Sequence, residues 1–301
     1  MIQCRPNCEE KLLMRLNVGL AQFNPKFGDI DANVERHIEW MKQAASHNVQ
    51  LLVFPELSLT GYYLRDLVQP LAITIDDMPM QAICEASQEL NIDVVVGFVD
   101  HSGRGNYHIA AAYIQRGEVL HVHHKCYLPT YGQFDDMRYF EPGNAIMSFQ
   151  TRFGQVGILI CEDFWHVSAS YLLWLDGADL MIFHSASPGR GLDEHEALQT
   201  ERNVNTFLQT YAMLYTTHII HCNRVGFENG ESFWGASAIF DPSGRQLICA
   251  PRFEEALVYH TIDLAQAERS RRAVATLRDE RLTLTFQQLQ RIMNTSDIGN
   301  R

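Results

Sequence analysis

The chain has 301 residues, of which 46% are hydrophobic and 20% charged, a composition typical of a globular protein with a sizeable core. The formal net charge of −12 and the lack of any Lys/Arg-rich run argue against a nucleic-acid-binding groove. The apolar runs are shorter than a membrane span of roughly 20 residues, and the N-terminus has no signal-peptide pattern, so we predict a soluble cytoplasmic protein without nucleic-acid or membrane partners.

Strand-like and helix-like segments alternate along the chain. Buried strands are predicted at 16–23, 49–54, 92–99, 155–160, 179–183, 218–222 and 256–262. Helices are predicted at 31–47, capped by Asp31, and at 78–90, 168–177 and 194–216, and hairpins at 107–124 and 237–250. The pattern predicts a single α/β domain over 1–301, with a mixed sheet or two packed sheets over about 16–262 and a helical tail over about 263–301.

The seven cysteines are scattered, which indicates a reduced compartment rather than a disulfide framework. Cys4 and Cys8 are close together, but no second close pair accompanies them, so we predict no metal site there. No strand–Gly-rich loop–helix pattern for binding phosphate is present either.

Three predicted strands end on a side chain that can take part in chemistry. The stretch "LLVFPEL" carries Glu56, "HVHHKCYLP" carries Lys125 and "GILICEDFW" carries Cys161, each at the carboxyl end of its strand. Sites of α/β sheets gather at the carboxyl ends of strands, so these three side chains are candidates for one acyl-transfer site.

Each of the three has a chemical role that fits its type. A cysteine needs a base or a positive charge to become a nucleophile, and Glu56, with a pKa raised by its apolar neighbours, fits the base. Lys125 would stabilise the thiolate and an oxyanion, with a backbone N–H after Cys161 as a second donor. Taken singly, the alternatives are a packed cysteine, a loop carboxylate and a solvated amine.

Histidines invite a zinc interpretation in one place. His121, His123 and His124 lie on one predicted hairpin strand, and we favour exposed strand residues over zinc ligands. The histidines and the cysteine of the 218–222 strand are predicted to be strand packing.

Taken in order, the three strand ends resemble the nitrilase superfamily of carbon–nitrogen hydrolases. "VGLAQFNPKFGDIDANV", "HSASPGRG" and "NRVGFENGESFWGASAIFDPSG" resemble further stretches of that family. The resemblance implies a four-layer α-β-β-α sandwich with Glu56, Lys125 and Cys161 as a catalytic triad. It also implies hydrolysis of a small-molecule amide by water through an acyl thioester, without a metal or organic cofactor, in a homodimer or larger homo-oligomer.

"FNPKFGDIDANV", "LPTYGQFDDMRYF" and "ICEDFW" especially resemble the glutaminase domain of glutamine-dependent NAD synthetase. That resemblance implies that Glu162 holds a substrate ammonium group. It places Asp136 as a second carboxylate near the lysine, where Glu is more usual, and Tyr62 and Phe134 as pocket walls.

Further candidates come from the sequence around these motifs. Ser187 and Arg190, in "HSASPGRG", are candidate substrate contacts. Arg190, Arg138 and Arg202 are each able to meet a substrate carboxylate. Asp163 is expected to fix the turn after the cysteine, and Phe164 and Trp165 to pack it.

NAD synthetases continue into an ATP-binding domain, and this sequence carries no such signature, while "RVGFENGESFWGAS" is more similar to free-standing amidases. We therefore favour hydrolysis of a small amide, such as glutamine or another ω-amide of an amino acid. The alternatives are a glutaminase subunit that feeds ammonia to a separate synthetase, an N-carbamoyl amine or nitrile hydrolase, and a non-catalytic binding protein that keeps the fold.

Overall fold

The computed structural model describes residues 15–103, 105–191 and 198–295. Cys4 and Cys8 lie outside the described residues. The strands are β1 (Arg15–Gln22), β2 (Leu51–Val53), β3 (Asp93–His101), β4 (Tyr107–Gln115), β5 (Glu118–His124), β6 (Phe149–Thr151), β7 (Gly154–Ile160), β8 (Leu180–Ser185), β9 (His218–Asn223), β10 (Val225–Glu228), β11 (Glu231–Trp234), β12 (Ala238–Phe240), β13 (Gln246–Cys249) and β14 (Ala256–Asp263). The helices are α1 (Ile30–Ser46), α2 (Val68–Leu71), α3 (Met78–Leu90), α4 (Asp136–Tyr139), α5 (Val167–Leu175), α6 (Gln199–Tyr215), α7 (Ala265–Ala273), α8 (Thr276–Asp279) and α9 (Leu282–Thr295), with 3₁₀ turns at Arg65–Leu67 and Cys161–Trp165.

The strands form two six-stranded sheets and one small hairpin. The first sheet has the order β14-β1-β2-β3-β4-β5, and the second has the order β13-β12-β9-β8-β7-β6, while β10 and β11 pair with each other. In the first sheet β1, β2 and β3 are parallel, and in the second β7, β8 and β9 are parallel. The outer strands of both sheets run antiparallel to their neighbours.

The sheets pack face to face, with helices on their outer faces. Side chains alternate across a strand, and in β2 Leu51 and Val53 enter the apolar layer between the sheets. Leu52 points the other way, into a layer shared with α1 and α3. The second sheet shows the same alternation, with its outer layer formed against α5 and α6. Three apolar layers separate four layers of structure, so the predicted α-β-β-α sandwich is confirmed.

Most predicted elements are present with shifted ends, and the start of α1 is the clearest correction. The predicted cap was Asp31, but the side chain of Asp29 accepts the hydrogen bond from Ala32 N at 3.1 Å. Asp31 lies in the first turn instead, where a negative charge is favoured by the helix dipole. The short strand β6 and the β10–β11 hairpin were not predicted, because strands of three or four residues carry too little periodicity.

The strand directions bring reactive ends to one edge of the molecule. Since β4 is antiparallel to both β3 and β5, β5 runs in the same direction as β2. The chain therefore leaves β2 and β5 at the same edge of the first sheet, and Glu56 and Lys125 follow those two ends. In the second sheet, parallel β7 and β8 likewise end together, before Cys161 and Ala186.

Gly97 in β3 allows the loop after β2 to pack closely against β3. A Cβ at this position would lie 2.5 Å from Leu57 N and 2.6 Å from Pro55 O. The loop is tied here, because Leu59 N donates to the Gly97 carbonyl at 3.0 Å. Glycine is therefore required for the loop that carries Glu56 to lie against the strand.

The C-terminal helix α9 presents apolar side chains to solvent. Leu282, Phe286, Leu289 and Met293, spaced at helical intervals, are each more than half exposed. The predicted homo-oligomer stays a prediction. Within the described parts of the chain, no helix combines the length and the hydropathy that a membrane span requires.

Candidate active site

Lys125 lies at the centre of a buried charge cluster. Its side chain is fully buried, and its Nζ donates to Glu56 Oε1 and to Asp136 Oδ2, both at 2.8 Å. The solvated surface amine, the alternative for this residue alone, is therefore wrong. A lysine ammonium has three N–H donors, so two are used here and one remains for another acceptor.

Glu56 joins the two sheets. Its Oε1 accepts from Lys125, which follows the first sheet, and its Oε2 accepts from the backbone N–H of Ala186 at 2.8 Å. Ala186 directly follows β8 of the second sheet. The carboxylate is fully buried, so its two hydrogen bonds fix its position between the sheets.

Asp136, at the start of α4, is held from the other side by Tyr62. The Tyr62 hydroxyl donates to Asp136 Oδ1 at 2.9 Å, and its ring centroid lies 5.7 Å from Lys125 Nζ. Tyr62, predicted to be a pocket wall, thus also holds the carboxylate beside Lys125. The predicted placement of Asp136 beside Lys125 agrees with the structure, even with the shorter side chain.

Cys161 follows β7 on a strained turn. Its φ is +47°, in the left-handed region that residues with a side chain rarely adopt, and the 3₁₀ turn Cys161–Trp165 begins there. Its Sγ lies 4.0 Å from Ser187 Oγ. Ser187, a predicted substrate contact, is thus beside the thiol, with its backbone N–H held by Asn223 Oδ1 at 2.9 Å.

Asp163 fastens this turn to the chain around Lys125. Its Oδ2 accepts from Ile160 N at 3.0 Å and from His123 Nε2 at 2.8 Å. Its Oδ1 accepts from Cys126 N and Tyr127 N, both at 2.9 Å. The predicted role of Asp163 in fixing the turn therefore agrees with these hydrogen bonds.

The sequence predicted that the histidines of β5 are exposed, and the structure shows contacts for each of them. His123 is buried against Asp163, His124 bonds to Asp100 at 2.7 Å, and His121 stacks on Phe149. The prediction failed because the second sheet covers this end of β5. The 218–222 strand is buried, as predicted.

His123, Cys126 and Asp163 also bring potential metal-ligand atoms within 4.8 Å of one another. All four acceptor positions of the carboxylate are already used by N–H donors. The Cys126 thiol lies 3.5 Å from two backbone carbonyls. Hydrogen bonding accounts for each of these side chains, so the cluster is a structural bracket.

The cluster shifts the pKa of each group in it. Burial alone would lower the pKa of Lys125, but the carboxylates of Asp136 and Glu56 outweigh it and raise that pKa well above the ordinary value. Burial raises the pKa of Glu56, against the opposing effect of Lys125. Burial, followed by the charge of Glu56, raises the pKa of Cys161 well above that of a free thiol.

These shifts describe a neutral thiol beside an ion-paired base. Burial and the nearby carboxylates outweigh Lys125 in their effect on this pKa, so the arrangement favours the neutral thiol. Deprotonation of Cys161 would instead accompany bond formation, with a carboxylate to take the proton and an ammonium N–H to meet an oxyanion.

A second group of side chains includes Glu162, the residue that follows Cys161. Glu162 Oε2 accepts from the hydroxyl of Tyr131 at 2.7 Å. The ring of Phe134 packs edge-on against Tyr131, and the guanidinium of Arg190 lies 5.1 Å from the Phe134 ring centroid. Nη2 of Arg190 is buried and has no acceptor among the described residues. The predicted substrate contacts Glu162, Phe134 and Arg190 thus form one group.

Sequence reasoning missed two parts of this site. Tyr131 was not selected, although it lies in "LPTYGQF" three residues before Phe134. The Ala186 N–H gave no sequence signal, because any residue other than proline supplies one. The other two candidate arginines lie elsewhere: Arg138 is exposed over Tyr139, and Arg202 lines a separate groove formed by α6, β12 and β13.

Comparison with known proteins identifies relatives. The family model described as "Carbon-nitrogen hydrolase" matches residues 17–272. A glutamine-dependent NAD(+) synthetase of Thermotoga maritima is 36% identical over 255 residues, which is 84% of this chain and 43% of the relative. The chain thus spans less than half of the length of that relative.

Solved structures share the fold. A carbon-nitrogen hydrolase from Helicobacter pylori G27 superposes with a TM-score of 0.83 at 24% identity, over 92% of this chain and 99% of that one. An amidase of Nesterenkonia AN1 from the nitrilase superfamily gives a TM-score of 0.74 at 22% identity, over 90% and 96% of the two chains. Both likenesses support the four-layer sandwich.

Replacing Asp136 by asparagine should lower the pKa of Cys161. Asp136→Asn removes one of the negative charges that raise this pKa and leaves the ammonium of Lys125 in place. The rate of iodoacetamide alkylation of Cys161, measured against pH, should show its midpoint moved to lower pH.

The exposed neighbour supplies the control for this change. Asp135→Asn alters a side chain that is exposed, so its profile should match that of the unaltered protein. A profile that stays in place or moves to higher pH in Asp136→Asn would contradict the electrostatic account.

Proposed function

The chain belongs to the carbon-nitrogen hydrolase family, and from this premise we propose that it hydrolyses the amide of a small molecule to an acid and ammonia. Glu56, Lys125 and Cys161 are the proposed catalytic residues. The observation that carries the proposal is the buried Lys125 ammonium bonded to Glu56, with the Cys161 turn tied to the chain after Lys125 through Asp163. The arrangement supplies a proton acceptor, an oxyanion donor and a thiol.

The first half of the proposed reaction forms a thioester. Sγ of Cys161 attacks the amide carbonyl carbon while Glu56 takes the thiol proton. The negative charge that develops on the carbonyl oxygen is met by the remaining N–H of Lys125 and by a backbone N–H after Cys161. When the carbon–nitrogen bond breaks, Glu56 gives its proton to the nitrogen, and ammonia leaves.

The second half releases the acid. Glu56 takes a proton from a water molecule, which attacks the thioester carbon, and Lys125 again holds the oxyanion. The carbon–sulfur bond then breaks, the sulfur recovers a proton from Glu56, and the acid departs. One amide and one water thus become one acid and one ammonia, with the enzyme unchanged.

Replacing Cys161 by alanine should abolish ammonia release. An ammonia-release screen over glutamine, asparagine, other ω-amides, aliphatic amides and carbamoyl amines first identifies the substrate. Cys161→Ala should then lower kcat by at least about a thousandfold, because no other group can form the thioester.

The control is Cys249→Ala, which removes an exposed cysteine of β13 and should leave kcat unchanged. Retained turnover in Cys161→Ala would exclude the thioester mechanism. An unaltered protein inert towards every amide, nitrile and carbamoyl amine tested would favour the non-catalytic binding protein.

We propose that the substrate is an ω-amide of an amino acid, such as glutamine. Glu162 and Tyr131 offer a carboxylate and a phenol for an ammonium group. Arg190, whose buried Nη2 has no acceptor among the described residues, offers a donor for a carboxylate, and Ser187 lies next to the thiol. Phe134 and Tyr62 wall the space between these polar groups.

Glu162→Gln should weaken the binding of substrates that carry an ammonium group. The amide has the same shape without the negative charge, so KM for glutamine should rise at least about tenfold with a small change in kcat. Propionamide, which lacks the ammonium group, should show unchanged constants in the same variant. An equal loss for both substrates would contradict the assignment of Glu162.

A second candidate function is a glutaminase that supplies ammonia to a separate synthetase. It is favoured by the similarity to the Thermotoga maritima protein, whose name is glutamine-dependent NAD(+) synthetase. An ammonia-dependent NAD synthetase added to this protein should then form NAD from glutamine and raise the rate of glutamate formation several-fold. If the rate of glutamate formation is unchanged, the result favours a free-standing amidase over a glutaminase subunit.

A further inference from the structure

Glu228 lies outside the charge cluster yet holds the loop that carries Tyr62. It ends β10 and is nearly buried. Its Oε1 accepts from two consecutive backbone N–H groups, those of Tyr62 at 2.9 Å and Tyr63 at 2.6 Å. One carboxylate oxygen thus fixes the two peptide groups on either side of Tyr62.

The other oxygen of Glu228 is held by a buried arginine. Arg224 Nη1 donates to Glu228 Oε2 at 2.7 Å, and Nη2 donates to Asn24 Oδ1 at 2.9 Å. The guanidinium lies 4.2 Å from the ring centroid of Phe233 and is fully buried. Arg224 therefore balances the charge of Glu228 and aims its carboxylate at the Tyr62 peptide.

The contact is close enough to require glycine beside it. Gly61 has a φ of +84°, and a Cβ there would lie 2.9 Å from Glu228 Oε2. The loop therefore approaches the carboxylate more closely than other residues would allow.

From Tyr62 the hydrogen bonds continue into the charge cluster. The Tyr62 hydroxyl donates to Asp136, and Asp136 accepts from Lys125 Nζ. We propose that Glu228 is a positioning residue of the amide-hydrolysis site, which sets Lys125 for the oxyanion by holding Tyr62 against Asp136. This inference rests on the proposed function, and no contact between Glu228 and the substrate is part of it.

The geometry also indicates which substitution tests the role. Glu228 accepts hydrogen bonds on both oxygens, so the amide of Glu228→Gln can satisfy either the two peptide N–H groups or Arg224. Its NH₂ group must then face the remaining set of N–H donors, with which it cannot form hydrogen bonds. The side chain keeps its size, and the Tyr62 loop loses its fixed position.

We expect Glu228→Gln to lower kcat about ten- to a hundredfold with little change in KM, because the polar substrate contacts proposed for Glu162 and Arg190 remain. The matched control is Asp93→Asn, another buried carboxylate, which accepts from Arg152 and from the Tyr113 hydroxyl. Asp93 begins β3, at the opposite end of the sheet from Glu56, so its variant should lose stability and keep its kcat. Equal kcat losses in the two variants would show a purely structural role and overturn the proposal.

A double-mutant cycle tests the route through Tyr62. Tyr62→Phe removes the hydroxyl that reaches Asp136. Adding Glu228→Gln to this variant should lower kcat by less than about a further threefold, because both changes break the same chain of contacts. If the loss of kcat in the double variant equals the product of the two single losses, the route through Tyr62 is overturned. If Glu228→Gln does not fold, Glu228→Asp, which keeps the charge and shortens the reach to the Tyr62 peptide, replaces it in the cycle.

The pH profile of Cys161 alkylation by iodoacetamide gives a readout that needs no substrate. Glu228→Gln should move this profile in the same direction as Tyr62→Phe does, while Asp93→Asn leaves it in place. A profile unchanged in Glu228→Gln would overturn the positioning role even if amide hydrolysis is found. Absence of turnover in the unaltered protein, in contrast, counts against the proposed function, and the alkylation result still decides the role of Glu228.

Discussion

The burial of the Lys125 ammonium is the constraint on which the rest of the site depends. Moving such a charge out of water costs several kcal/mol unless it is paired and hydrogen-bonded. The protein supplies Glu56 from the end of β2 and Asp136 from α4, each 2.8 Å from Nζ. Glu56 in turn accepts from Ala186 of the second sheet, so its second oxygen is satisfied only when the two sheets are packed together.

Buried polar brackets, rather than apolar contacts, set the relative positions of the reactive groups. Asp163 ties the Cys161 turn to the chain after Lys125, and Glu228 ties the Tyr62 loop to Arg224. In each bracket the carboxylate uses both oxygens, so neither can shift without leaving a buried donor unpaired. The cost of orienting the site is therefore met when the chain folds, before any substrate binds.

Local patterns carried much of the fold and the core of the site. The alternation of short apolar runs with amphipathic segments was enough to predict the layered α/β architecture, because side-chain periodicity is a property of neighbouring residues. Glu56, Lys125 and Cys161 stood out because each follows a predicted strand. The raised pKa of Cys161 was not predicted, since it depends on burial and on carboxylates distant in the sequence.

The sequence by itself determined which strands end in reactive side chains and which chemistry those side chains are able to perform. Only the tertiary structure decided that Lys125 is fully buried, that Tyr62 supports Asp136, and that Tyr131 faces Glu162. It also decided that Glu228 holds the loop of Tyr62. These contacts join residues that are tens to more than a hundred positions apart, and no local periodicity encodes such a distance. They form because the packing of the two sheets brings the strand ends together, where each buried polar group must find a partner.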